Sequence, residues 1–177
     1  MSRLTVWDAK TKAQELSTTD GAEIAATLAK LGVRFERWPL AAIPADASAE
    51  AVLEAYKPHL DAFLGGNAGS VDVLKLTPDN PNKDALRQKF LSEHTHTEDE
   101  VRFFHAGGGN FILHVTGKIY DAHCTAGDLI SVPAETQHWF DAGEAPFFTA
   151  VRIFTDTSGW VPHYTGTDLA EKFPATV

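Results

Sequence analysis

The chain has 177 residues, of which 44% are hydrophobic, enough for one globular domain with a substantial core. Its formal net charge is −9, which argues against a nucleic-acid partner, since that needs a basic patch. No apolar run nears the roughly 20 residues of a membrane span, the opening MSRLTVWDAKTK lacks the apolar centre of a signal peptide, and the lone Cys124 excludes an internal disulfide, so a cytoplasmic protein with no membrane partner is expected.

Residues 4–7 read as a short opening strand. Asp20 followed three residues later by Glu23 resembles a capping box, and Ile24, Leu28 and Leu31 recur at helical spacing until Gly32 stops the helix. Residues 33–38 alternate apolar and charged side chains, the pattern of a strand. A second helix is expected from about Ser48, with Val52, Tyr56, Leu60 and Phe63 on its apolar face and Pro58 kinking or dividing it. GGNAG (65–69) reads as a loop and VDVLKL (71–76) as a strand. Asn80-Pro81 predicts the start of a third helix, with Pro81 at its first position and Leu86 and Phe90 on the buried face.

From Glu93 the texture changes. The runs FILHV, IYDAHC, DLISVP, QHWFD and FFTAVRIF alternate with turn signals at 107–109, 116–118, 126–127 and Gly143. Evenly spaced short strands of this kind predict a small antiparallel barrel or jelly roll. The expected fold is mainly β, a barrel core in 93–165 with helices from residues 1–92 covering it from outside, all within one domain spanning 1–177. Nothing in the pattern demands a dimer, and a monomer is expected.

The stretch EHTHTEDEVRFFHAGGG (93–109) carries the chemistry. On a strand, side chains two and four apart point the same way, so His94, His96 and Glu100 could aim at one point inside the barrel. On a helix, His94 and His96 would diverge by about 200°. The β-forming Val101, Phe103 and Phe104 favour the strand; the alternative is a polar loop that happens to carry histidines. A second stretch, GDLISVPAETQHWFDAG (127–143), offers His138 after a turn made by Pro133. Three imidazoles and one carboxylate suit a divalent first-row metal, with iron, nickel, manganese and zinc all possible, and an octahedral ion would keep two positions open. Arg102 shares the parity of Glu100 and should face the same point, unless it is exposed and paired with Glu98 or Asp99.

HxHxxxE followed by Gly107, then Gly127 and Pro133 before His138, resembles the two-part cupin pattern, with Glu135 standing where many cupins have glycine. EHTHTEDEVRFF, DLISVPAETQHWFDAG, the RIF of 152–154, Gly159-Trp160 and GVRFERW (32–38) together resemble the bacterial acireductone dioxygenase family. That resemblance implies His94, His96, Glu100 and His138 as ligands of one Fe(2+) or Ni(2+) per chain. It implies a dioxygenase of methionine salvage acting on acireductone, 1,2-dihydroxy-3-oxo-5-methylthiopentene, and O2. The iron form would give formate and 2-oxo-4-methylthiobutanoate; the nickel form would give formate, carbon monoxide and 3-methylthiopropanoate. Arg102 would then favour the deprotonated substrate by charge-assisted hydrogen bonding. Glu93 would support metal uptake, and Asp99 would relay local changes. Phe90, Phe104, Arg152 and Trp160 are candidates for the substrate pocket, the aromatics equally readable as core and Arg152 as a buried ion pair. Two alternatives stay open: another enzymatic cupin, such as a sugar isomerase or a different dioxygenase, and a non-catalytic cupin that senses a small ligand.

Overall fold

The computed structural model describes residues 1–67 and 69–174, the side chains of Thr157 and Trp160 excepted; residue 68 of the expected 65–69 loop lies outside the described residues. Strands β1 (Arg3–Asp8) and β2 (Gln14–Thr18) form an N-terminal hairpin. Helix α1 (Gly21–Ala29) starts where expected: the Asp20 carboxylate accepts from the Glu23 backbone N–H, and Ile24 and Leu28 are buried. It is followed by β3 (Arg34–Arg37). Helix α2 (Ala49–Leu64) is capped by the Ser48 hydroxyl and closed by Gly65 in the left-handed region. It is not divided at Pro58, which lies within the one helix. Pro58 and Glu54 both lie on the exposed face, so the carbonyl that loses its helical donor is at the solvent side.

Strand β4 (Ser70–Leu76) leads to α3 (Lys83–Leu91). This helix opens two residues later than Pro81 predicts, because the Asn80 side chain accepts from the Asn82 N–H and holds a turn there. The remainder is β5 (His94–Thr95), β6 (Glu100–Val115), β7 (Lys118–Thr125), β8 (Asp128–Val132), β9 (Gln137–Asp141), β10 (Phe148–Phe154), a 3-10 turn (Thr157–Trp160), β11 (His163–Tyr164) and α4 (Leu169–Lys172). Among the described residues no helix is long and apolar enough to cross a membrane.

The 16-residue β6 belongs to two antiparallel sheets at once. Its first half pairs with β8 and β10, with Arg102 opposite Ile130 and Arg152. Beyond those lie β3 and β4. Its second half pairs with β7 and β9, continuing through β1 and β2 on one side and β5 and β11 on the other. The glycines at 107–109, read from sequence as a turn between strands, are instead the bend inside this one strand. Gly107 has φ 63°, and an added Cβ would sit 1.8 Å from the Phe147 carbonyl oxygen; at Gly108 it would sit 2.1 Å from the Cys124 carbonyl oxygen, and at Gly109 2.3 Å from the Phe140 ring. Only a residue without a Cβ lets three strands approach this closely.

The bend also inverts strand parity. Before it, the even positions Arg102 and Phe104 are inside and the odd positions Val101 and Phe103 pack outward under Val52, Tyr56 and Leu60 of α2. After it, Phe111 and Leu113 are inside and Ile112 faces Trp139 and Phe173. The interior core gathers Phe104, Phe111, Leu113, Ile130, Phe140 and Phe148, and the metal-binding candidates sit above it.

Candidate metal centre

Two of the four side chains come from neighbouring strands. His94 on β5 is the Cα partner of His138 on β9, so their rings lie on one face, 4.6 Å between centroids. His96 stands just past the end of β5, and Glu100 opens β6 opposite Val132. The single continuous strand expected to carry His94, His96 and Glu100 is therefore interrupted at 96–99. The polar run Thr97-Glu98-Asp99 has little strand preference, and a second loop holds it: the Ala134 N–H donates to the Asp99 carboxylate at 2.8 Å, and the Glu135 N–H to the His96 carbonyl at 2.8 Å. Glu135 has φ 62°, the conformation for which glycine is the easy residue.

The four donor atoms lie within 4.8 Å of one another, and all four residues are buried. Each imidazole Nδ1 faces a carbonyl, which can only accept: Ser92 at 2.7 Å for His94, Val161 at 3.0 Å for His96 and Thr136 at 2.8 Å for His138. Those partners assign the proton to Nδ1 and leave the Nε2 lone pairs aimed at the common point. There His138 Nε2 faces a Glu100 carboxylate oxygen at 2.8 Å and His96 Nε2 faces the same oxygen at 3.4 Å. A cation beside them would relieve lone pairs set against a carboxylate at that range, and the donor set fits a divalent ion.

The electrostatics keep the set ready to bind. Burial, with His138 adding to it, pulls the His94 imidazole down to about 4; burial also lowers His96. Burial alone would raise the Glu100 carboxyl, but the Arg102 guanidinium holds it well below the usual carboxylate range. A neutral His94 and His96 beside an ionised Glu100 are in the protonation states that metal binding needs.

Arg102 faces this point, as its parity requires. Its Nη2 donates to Glu100 at 2.6 Å, and its guanidinium lies 4.9 Å from the Phe111 ring centroid and 4.5 Å from that of Phe140. It is 3% exposed, yet its Nε and Nη1 have no hydrogen-bond partner among the described residues. Two buried, unsatisfied cationic N–H groups beside a cavity mark the place where an anionic ligand would be held.

That cavity has a volume of about 240 Å³. The four candidate ligands, Arg102 and Arg152 form its polar end, and Leu74, Leu86, Phe90, Phe140, Phe154 and Pro162 its apolar wall, with Lys89 beside them. Phe90 is on this wall. Phe104 is not: it is fully buried behind Phe140 and Phe148 in the interior core, because parity sets the face of a side chain but not its depth. Arg152 is on the wall and also grips Asp72 with two hydrogen bonds of 2.8 and 2.5 Å, so the two readings of it are compatible. The Trp160 side chain lies outside the described residues.

Glu93 is buried and accepts from His114, Thr165 and Thr167, which fixes the backbone next to His94. Asp99 is exposed and ties the two ligand-bearing loops together. Phe140 and Phe154 were missed from sequence although a signal existed. Each stands two residues after an inward-facing side chain, His138 and Arg152 respectively, on the same strand.

The sequence pattern of the ARD/ARD' family matches residues 3–162. An acireductone dioxygenase of Granulibacter bethesdensis is 61% identical over 178 residues, covering 99% of each chain; one of Acidiphilium cryptum is 59% identical over 98% of each. A solved acireductone dioxygenase of Bacillus anthracis, described with a cadmium ion in its active centre, superposes with a TM-score of 0.80 at 29% identity, over 93% of this chain and 98% of that one. The cupin-type, mainly antiparallel fold with outer helices is therefore the one found.

Proposed function

The chain belongs to the ARD/ARD' family, and on that footing we propose that it oxidises acireductone with O2, His94, His96, Glu100 and His138 holding one iron(II) or nickel(II) ion per monomeric chain. The observation that carries this reading is the convergence of three Nε2 lone pairs on a carboxylate, each Nδ1 already committed to a carbonyl, beside a guanidinium with free N–H groups. When bound, the ion would supply Lewis acidity and a point of chelation for two adjacent substrate oxygens.

The protein's own groups do the rest. Glu100 stays ionised and orients Arg102 through the 2.6 Å contact. Arg102 then presents Nε–H and Nη1–H to the enediolate oxygen, favouring the deprotonated, electron-rich form of the substrate that reacts with oxygen. The aromatic faces of Phe111 and Phe140 keep that guanidinium flat and dry. Leu74, Leu86, Phe90 and Phe154 offer the methylthioalkyl tail an apolar wall. Glu93 and Asp99 act as supports, the first for His94 and the second for the turn after His96. The ligand set accepts either ion, so iron would give formate and 2-oxo-4-methylthiobutanoate, and nickel formate, carbon monoxide and 3-methylthiopropanoate.

Metal analysis of variants tests the ligand assignment. His96→Ala and His138→Ala should lose most bound metal, while His114→Ala, whose imidazole serves Glu93, should keep it. Full occupancy in the first two would sink the assignment.

A further inference from the structure

An enzyme with a net charge of −9 repels an anionic substrate at long range unless its cavity presents the opposite sign. Three cationic side chains line this cavity, Lys89, Arg102 and Arg152, against the single carboxylate of Glu100. The two arginines are each held by a carboxylate, Arg102 by Glu100 and Arg152 by Asp72. Lys89 differs. It is exposed while still lining the cavity, which puts it at the solvent edge. No hydrogen bond or ion pair is found for its ammonium among the described residues, whereas Lys57, Lys83, Lys118 and Lys172 each grip an acid.

The backbone of Lys89 is nevertheless fixed. Its carbonyl accepts from the Tyr164 hydroxyl at 3.1 Å, and Tyr164 is the Cα partner of His94, so the end of α3 is tied to the metal-bearing strand. Leu86 and Phe90, three residues before and one after, turn into the cavity wall on the same helix. The ammonium therefore hangs from an anchored stem over the entrance, free to swing.

We propose that Lys89 captures the enediolate anion at the cavity entrance and hands it inward to Arg102. This rests on the dioxygenase reading and deepens it, because it names the charge state in which the substrate is recognised. A reductone is a vinylogous acid and enters as an anion at neutral pH. An unpaired lysine attracts it without the cost of breaking an existing ion pair, and the flexible stem then releases it. The rival role is purely structural: Lys89 lies in the last turn of α3, where a cation also offsets the helix dipole.

The test compares Lys89→Met, Lys89→Arg and a distant control, Lys10→Met, in the metal-loaded enzyme with synthetic acireductone at several ionic strengths. Lys89→Met should lower kcat/KM about three- to tenfold at low salt, through KM, with kcat nearly intact. The gap from wild type should narrow as salt screens the field. Lys89→Arg should restore KM, and Lys10→Met, which changes net charge equally, should not alter it. Wild-type kcat/KM should itself fall with ionic strength, a readout independent of any variant. Unchanged KM in Lys89→Met, a loss confined to kcat or thermal stability, or a wild-type rate that rises with salt would overturn the capture role. A wild type no faster than free acireductone in consuming oxygen would overturn the dioxygenase reading and this proposal with it.

Discussion

Replacing Arg102 by methionine keeps an apolar stem at this buried position while removing the guanidinium, the group that lies over the Phe111 and Phe140 rings. In the metal-free protein the loss falls on Glu100, a buried carboxylate that would lose its 2.6 Å partner. Breaking a buried pair by removing one member costs about 3–5 kcal/mol. At roughly 2–4 °C per kcal/mol for a chain of this size, that lowers the unfolding midpoint by roughly 6–20 °C. Loading iron(II) or nickel(II) gives Glu100 another positive partner, so most of that deficit should close when metal is added. Turnover should not recover: two N–H donors aimed at the reacting anion are gone, a loss on the order of 10²–10³ in kcat. The assay is thermal unfolding with and without metal, alongside metal content and oxygen uptake on the same preparation. Wild-type turnover in folded, metal-replete Arg102→Met, or an unchanged midpoint in the stripped variant, would refute the reasoning.

Gly107→Ala should cost more than about 3 kcal/mol, or abolish folding, because a Cβ 1.8 Å from the Phe147 carbonyl oxygen cannot be relieved without parting β6 from the strand beside it; a midpoint within a few degrees of wild type contradicts this. The stripped protein should lose stability as pH falls from about 6.5 towards 4. In that window His94 binds a proton when unfolded but not when folded, since its folded value is about 4 against 6.5, worth up to about 3 kcal/mol. His96 acts in the same direction, and the depressed Glu100 carboxyl extends the loss below 4.5. Urea unfolding that is flat, or more resistant in acid, would count against the buried neutral imidazoles.

Much of this was legible because it is local. Asp20 with Glu23 and Ser48 announced two helix starts, alternation announced β3, and β-rich runs between turn signals announced β4 and β7 to β10 nearly at their observed bounds. The two-residue period relates Glu100 to Arg102 within β6, whereas His94 and His96 reach the same point across the break at 96–99. What was not legible depends on partners distant in sequence. The glycines at 107–109 carry a turn signal locally, and only the approach of Phe147, Cys124 and Phe140 explains why they form a bend within a strand. The short β5 and β11 are strands only because β9 and β5 pair with them, and two residues hold no period to read. Phe104 shows the same limit: alternation turned it inward, but its burial beneath Phe140 and Phe148 depends on which strands surround it. Glu135 stands where the cupin pattern has glycine and still adopts φ 62°, with its N–H serving the His96 carbonyl.

The central claim is that one protein, through one His3Glu centre, oxidises acireductone. The measurement that tests it most directly strips the metal, reloads iron(II) or nickel(II) separately, supplies acireductone and oxygen, and follows oxygen uptake together with the products. The stripped protein should be inert and both reloaded forms active, with carbon monoxide released only by the nickel form. One identical product set from both forms would contradict metal-directed cleavage, and uptake no faster than that of free acireductone in either form would contradict the dioxygenase assignment itself.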